Sequence, residues 1–139
     1  AEPEPVDRWR SVEAFARNLR DLVSLCRRRG VAVVLASQPF LYREDVSEAD
    51  RELLWTPISH QRDGRRPDLR SMIAGMELFN ATSERVAQET GAGFVDLAAG
   101  VPKTTDHLYD DVHYTAKACT RIAELYDAYL AETGLPAPD

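Results

Sequence analysis

Gly30 divides two stretches whose hydrophobic periods are incompatible, and that junction constrains the fold more than any other feature of the chain. From about Arg8 to Arg29, apolar residues recur at Trp9, Val12, Phe15, Leu19, Leu22, Val23 and Cys26. This spacing predicts a helix with one buried stripe. Asp7 is placed to cap its start, and the Arg27-Arg28-Arg29 run suits the negative C-terminal end. Gly30 supplies the left-handed stop. Val31-Ala32-Val33-Val34-Leu35-Ala36 follows at once, a β-branched run with no polar alternation, as expected of a strand covered on both faces. A helix that feeds directly into such a strand is the signature of an α/β fold.

The same order recurs further along. Asp68 caps a second predicted helix with Leu69, Met72, Ile73, Met76, Phe79, Val86 and Ala87 on its apolar face, and Gly91 ends it. Gly93-Phe94-Val95-Asp96-Leu97 reads as the next strand, followed by a loop through Pro102 and Thr105. Thr115 caps a last helix that buries Ile122, Leu125, Tyr126, Tyr129 and Leu130 and stops at Gly134 and Pro136. Between Ser37 and Asp68 the periodicity breaks down, which predicts a functional or mobile insertion with a short helix near Glu48 to Leu54. Residues 1–7 are expected to be a disordered lead-in, since Ala1-Glu2-Pro3-Glu4-Pro5 carries two prolines and nothing apolar to anchor it. Residues 8–133 then form a single domain and 134–139 a tail. The fold class is α/β, a three-layer α/β/α arrangement around a parallel sheet.

Composition narrows the function. At 139 residues the chain has room for one domain, and 44% hydrophobic with 29% charged residues is the balance of a folded soluble protein. A formal net charge of -6 argues against nucleic acid and anionic membrane surfaces as partners. No apolar stretch approaches the roughly 18 residues of a spanning helix, and the N-terminus has no charged-then-apolar signal pattern. Cys26 and Cys119 match no metal or redox spacing, and each falls on the apolar stripe of a predicted helix, as small buried hydrophobes do.

The chemistry concentrates in Asp110-Asp111-Val112-His113-Tyr114-Thr115. A short turn can bring a carboxylate at Asp110 onto one imidazole nitrogen of His113, leaving the other nitrogen to take a proton from a nucleophile. Asp111 is the alternative carboxylate. Loops at the carboxyl ends of parallel strands form the binding face, which adds Ser37, Gln38 and Phe40, with Trp55 from the long loop, as substrate-pocket candidates. The blander reading has Ser37 capping or turning the chain and the aromatic residues packing the loop down. Asn80 reads as a helix residue bonded to a nearby loop, and His60 as a surface residue. Asp106, His107, Asp110, Asp111 and His113 form a rival candidate, a zinc or manganese site, although a solvated charged loop is the commoner outcome for such a cluster.

In order and spacing the chain resembles the C-terminal part of the SGNH, or GDSL-type, ester hydrolases. The resemblance rests on Phe15, Asn18 and Leu19, the strand Val31 to Ala36, Gln38-Pro39, Asn80, Val86-Ala87-Gln88-Glu89, Phe94-Val95-Asp96-Leu97, and Asp110 to Thr115. It implies a flavodoxin-like topology with strand order 2-1-3-4-5, of which this chain supplies the last strands and helices. It also implies a Ser-His-Asp triad with Asp110 and His113 as its acid and base, an ester substrate and no cofactor. The family's Gly-Asp-Ser nucleophile block, its oxyanion-hole glycine and its Gly-x-Asn-Asp block have no counterpart in these 139 residues. The resemblance therefore implies an incomplete site, inactive without a Ser-bearing segment, and an exposed sheet edge that calls for a complementing chain or self-association. A noncatalytic ligand-binding or assembly module built on the same fold is the alternative.

Overall fold

The structure, a computed structural model, describes residues 2–6, 8–54 and 65–135. Asp7, Trp55, His60 and Pro136 lie outside the described residues.

Helix α1 spans Val12–Arg27, and the chain turns out of it through Gly30 at φ 67. It starts later than the apolar spacing predicts because tertiary packing takes Trp9 away. The Trp9 ring lies against Gly75, where an added Cβ would sit 2.6 Å from ring carbons, and it meets Phe79 edge-on at 6.4 Å. Strand β2, Val34–Ala36, then pairs in parallel with β4, Gly93–Val95, in the register Val34↔Gly93, Leu35↔Phe94 and Ala36↔Val95. Both strands are shorter than predicted. Val31 is 51% exposed, and Asp96 leaves the sheet to cap a short helix α4, Leu97–Gly100, by accepting the Ala99 N–H at 3.1 Å.

Helix α3, Leu69–Thr90, runs between Asp68 at its N-cap and Gly91, at φ 69, at its C-cap, as the sequence predicts. It packs along α1. Ala16 and Val23 of α1, Leu35 of β2, and Val86 and Ala87 of α3 form one core cluster, with Leu19, Val33 and Phe94 packed against it. Helix α5, Ala116–Thr133, follows Thr115 at its N-cap and packs against β4 and α4, away from that cluster. The protein is thus a mixed α/β fold around a parallel β2–β4 pair.

A second core lies under the long loop. Phe40, Leu41, Tyr42, Val46 and Leu54 are buried against Met72 of α3 and Leu108, so these loop residues pack inward as core. A short helix α2, Glu48–Arg51, follows Ser47, whose hydroxyl accepts the Asp50 N–H. The lead-in also departs from expectation. Strand β1, Glu2–Glu4, pairs in parallel with β3, Arg65–Pro67, and the Val6 N–H donates to Ser71 Oγ at 2.8 Å. Backbone hydrogen bonds supply the anchor that this segment lacks in apolar side chains.

One side of the fold is left open. Among the described residues β2 pairs with β4 alone, and Leu22 and Leu25 of α1 are each 48% exposed, contrary to the expectation that Leu22 is buried. On α5 only Ala118 is buried. Ile122, Leu125, Tyr126 and Tyr129 are half-covered, while Leu130 and Cys119, expected inside, are exposed. The helical period marked these faces as apolar, but no described element covers them.

Asp68 offers a direct check on the long helix. Hydrogen bonds from Ser71 hold its carboxyl below the usual range. A depressed folded value means the carboxylate stabilises the protein above about pH 3.9, its unfolded value, and that contribution is lost as pH falls through the folded value. Asp68→Ala is expected to lower unfolding free energy by about 1 kcal/mol at pH 7. In urea titrations the gap from wild type should shrink below about pH 3.9, whereas Asp68→Asn, which keeps the cap, should lose less.

Candidate functional site

Backbone geometry builds the Asp110 to His113 turn before any side chain of another element reaches it. The turn closes a small hairpin: Leu108 and Tyr114 form an antiparallel bridge, the Tyr109 N–H donates to His113 O at 3.2 Å, and the Thr115 N–H donates to His107 O at 3.0 Å. Within it, Asp110 Oδ1 accepts the Val112 N–H at 2.9 Å and the His113 N–H at 2.8 Å. This is an Asx turn, in which a short carboxylate replaces the backbone acceptor. The other oxygen, Oδ2, lies 2.7 Å from His113 Nδ1.

One carboxylate therefore does two jobs. Its first oxygen shapes the turn and its second faces the imidazole. An acceptor-only carboxylate opposite Nδ1 selects the tautomer with the proton on Nδ1 and the lone pair on Nε2. The His113 side chain is 52% exposed and Asp110 15%, so the imidazole meets solvent while its orienting group is mostly covered. Tyr109 stacks on the His113 ring at 5.8 Å and 12°.

Asp111 is a different kind of residue. It is fully buried, and Tyr42 Oη, also fully buried, donates to its Oδ2 at 2.7 Å. Its backbone oxygen accepts the Leu41 N–H at 2.9 Å. The structure thus puts Asp110 on His113 and Asp111 on Tyr42. Nothing in the local pattern around Tyr42 signals a phenol aimed at a carboxylate 69 residues away.

The substrate-pocket candidates separate. Ser37 is buried, donates to Asp96 Oδ1 at 2.7 Å and accepts the Ala98 N–H at 2.8 Å, so its hydroxyl ties the end of β2 to the start of α4. This is the capping role of the blander reading. Gln38 is bonded through its backbone to Asn80 and through its side-chain amide to Val112 and Tyr114, and Asn80 is indeed a helix residue bonded to a loop. Phe40 is 2% exposed, with the Lys103 ammonium 3.6 Å from its ring centroid. Trp55 lies outside the described residues.

An open cleft of about 250 Å³ is lined by Ser37, Phe40, Glu77, Asn80, Asp96 and Lys103 among others. Among the described residues, neither Asp110 nor His113 lines it. Burial lowers the Lys103 pKa and Glu77 opposes that shift. The cation over the Phe40 ring also favours the charged form. Lys103 carried no signal in the sequence, being an isolated lysine in a loop.

The five Asp and His residues weighed as a metal site do not converge. Asp106 accepts from Lys117 Nζ at 2.8 Å, which holds its carboxyl below the usual range, and His107 Nδ1 is 2.9 Å from Thr104 Oγ1. Among the described residues no three His, Cys, Asp or Glu side chains are grouped to hold a metal ion. No described helix is long and apolar enough to cross a membrane.

Tyr42→Phe tests how firmly the turn is seated. Loss of a hydrogen bond to a buried carboxylate is expected to cost about 1.5–3 kcal/mol of unfolding free energy, measured by urea denaturation. A change under about 0.5 kcal/mol would show that the phenol adds little to the anchoring.

Neither a protein-family model nor a curated protein sequence matches the chain. Among solved structures it is similar to the crystal structure of LAE5, an alpha/beta hydrolase enzyme from the metagenome of Lake Arreo, Spain. The match has a TM-score of 0.60 at 17% identity and covers 91% of this chain and 50% of the LAE5 chain. This chain spans about half the length of that hydrolase. At this identity the likeness is one of fold alone.

Proposed function

We propose that this chain carries the acid–base part of an SGNH-type ester hydrolase site, with His113 as the base, Asp110 as its orienting acid and the serine supplied by a complementing segment. The observation that carries the reading is the 2.7 Å approach of Asp110 Oδ2 to His113 Nδ1, made by a carboxylate whose other oxygen is committed to the turn. In the proposed reaction, Nε2 takes the proton from a serine hydroxyl as its oxygen attacks the ester carbonyl. The imidazolium then gives that proton to the departing alkoxide, and Asp110 stabilises the cation without itself taking a proton. The hydrolase-like fold agrees with this reading, and the substrate class we assign is an acyl or carbohydrate ester.

Chemistry and packing both support a complement. Gly-Asp-Ser does not occur in the sequence, and Ser37 Oγ is occupied by Asp96 and Ala98. The β2 edge opposite β4 bears no described strand, and Leu22, Leu25 and Val31 are half-exposed. Unpaired strand edges and uncovered apolar side chains favour pairing with another polypeptide. A noncatalytic ligand-binding module is the second reading, favoured by the separate cleft beside Phe40 and Lys103.

A fluorophosphonate probe, which labels activated serines, distinguishes the two. The isolated chain is expected to remain unlabelled, whereas a Ser-bearing polypeptide co-purified with it should label. In that complex Asp110→Asn and His113→Ala should each cut turnover of a p-nitrophenyl ester by about 10⁴-fold or more. Labelling of the chain alone would overturn the absence of a nucleophile. A labelled complex indifferent to His113→Ala would remove the base assignment. Size exclusion adds a separate check: a monodisperse monomer with a sharp cooperative melt would count against any need for a complement.

A further inference from the structure

We infer that Gln38 is a positioning residue for His113, holding from the end of strand β2 the backbone carbonyl of the residue before the imidazole and the phenol of the residue after it. The inference rests on the reading of His113 as a base oriented by Asp110.

Gln38 is itself held from both sides. Its N–H donates to Asn80 Oδ1 at 2.8 Å and its carbonyl accepts from Asn80 Nδ2 at 3.0 Å. This reciprocal pair imitates a strand partner at the point where β2 stops and β4 has already turned into α4. It fixes Gln38 to α3, the longest helix of the fold.

From that fixed base the side chain reaches the turn. Nε2 lies 3.1 Å from Val112 O, 2.8 Å from Tyr114 Oη and 3.0 Å from Pro39 O. Two of these acceptors are carbonyl oxygens, which cannot donate, so the amide must present its NH₂ end. Two N–H protons are shared among three acceptors, the phenol oxygen being the nearest. Burial raises the Tyr114 pKa while the Gln38 bond opposes that shift, so the phenol stays protonated at neutral pH, and its oxygen accepts from Gln38.

Val112 and Tyr114 are the residues immediately before and after His113. An amide anchored 74 residues away in sequence therefore indexes both neighbours of the imidazole to the sheet. His113 needs such support, since its ring is half-exposed and sits in a hairpin turn, where solvent-exposed side chains exchange rotamers freely. Asp110 lies inside the same turn and sets the ring relative to the turn. Gln38 sets the turn relative to the fold, and with Asp110 it keeps Nδ1 opposite Oδ2.

The imidazole tautomer of His113, read by long-range ¹H–¹⁵N NMR of the labelled chain at about pH 8.5, where an ordinary histidine is neutral, is a readout that simple stabilisation would not move. The Nδ1–H form should dominate in the wild type. In Gln38→Ala, and in Gln38→Glu, whose carboxylate cannot donate to the two carbonyls, the ratio of Nδ1–H to Nε2–H should fall about three- to tenfold. Tyr114→Phe, which removes one of the three acceptors of the Gln38 amide and leaves the amide itself in place, should give a smaller fall of about twofold and serves if the Gln38 variants do not fold. Folded variants that melt earlier yet keep the wild-type ratio would reduce Gln38 to a structural bond and overturn the inference. A wild type dominated by Nε2–H would instead remove the Asp110–His113 base reading itself, and the inference with it.

Discussion

Two segments remote in sequence, 37–42 and 110–114, are locked together by hydrogen bonds, and the candidate site depends on that lock. Gln38 reaches Val112 and Tyr114, the Leu41 N–H meets Asp111 O, and Tyr42 Oη meets the Asp111 carboxylate. Each bond is of ordinary length, and a neutral one contributes only about 1 kcal/mol. Their effect comes from number and burial. Phe40, Leu41, Tyr42 and Leu108 lie in one apolar cluster, so the polar contacts are shielded from water, where breaking them would leave buried groups unsatisfied.

This arrangement divides the labour between the adjacent aspartates. Asp111 is buried and anchors the turn, while Asp110, mostly covered, faces the half-exposed His113. Two identical side chains one residue apart in a tight turn thus take different partners, one the Tyr42 phenol and one the imidazole. The Asp110–His113 geometry is therefore produced by a turn pinned from beneath, and the imidazole stays accessible because the anchoring lies on the other side.

Much of this was legible in the residues. The periodic runs and the glycine stops marked α1, α3 and α5, and Asp68, Gly91 and Thr115 cap where capping chemistry requires. Helix caps are local, so a few adjacent residues suffice to specify them. The parallel β2–β4 pair follows from the helix placed between two short apolar runs. Less was legible where long-range contacts decided. The β1–β3 pairing joins residues more than sixty apart, and Phe40, which also lines the cleft, is buried with Tyr42 against Met72 and Leu108. Leu22 and Leu130 lie on apolar stripes yet remain exposed, since a stripe shows which face needs cover and not whether cover exists.

By itself, then, the sequence determined the order of the three long helices and of the β2 and β4 strands, the α/β class, the caps Asp68, Gly91 and Thr115, and the presence of an aspartate and a histidine three residues apart. Each of these is set by torsional preference, hydrophobic period or local hydrogen bonding within a few residues. Tertiary structure alone decided that Asp111 is taken up by Tyr42, that Ser37 is spent on Asp96 and Ala98, and that Gln38 reaches Val112 and Tyr114. Those outcomes depend on which donors and acceptors meet after the chain has folded back across some seventy residues, and no local pattern encodes such meetings.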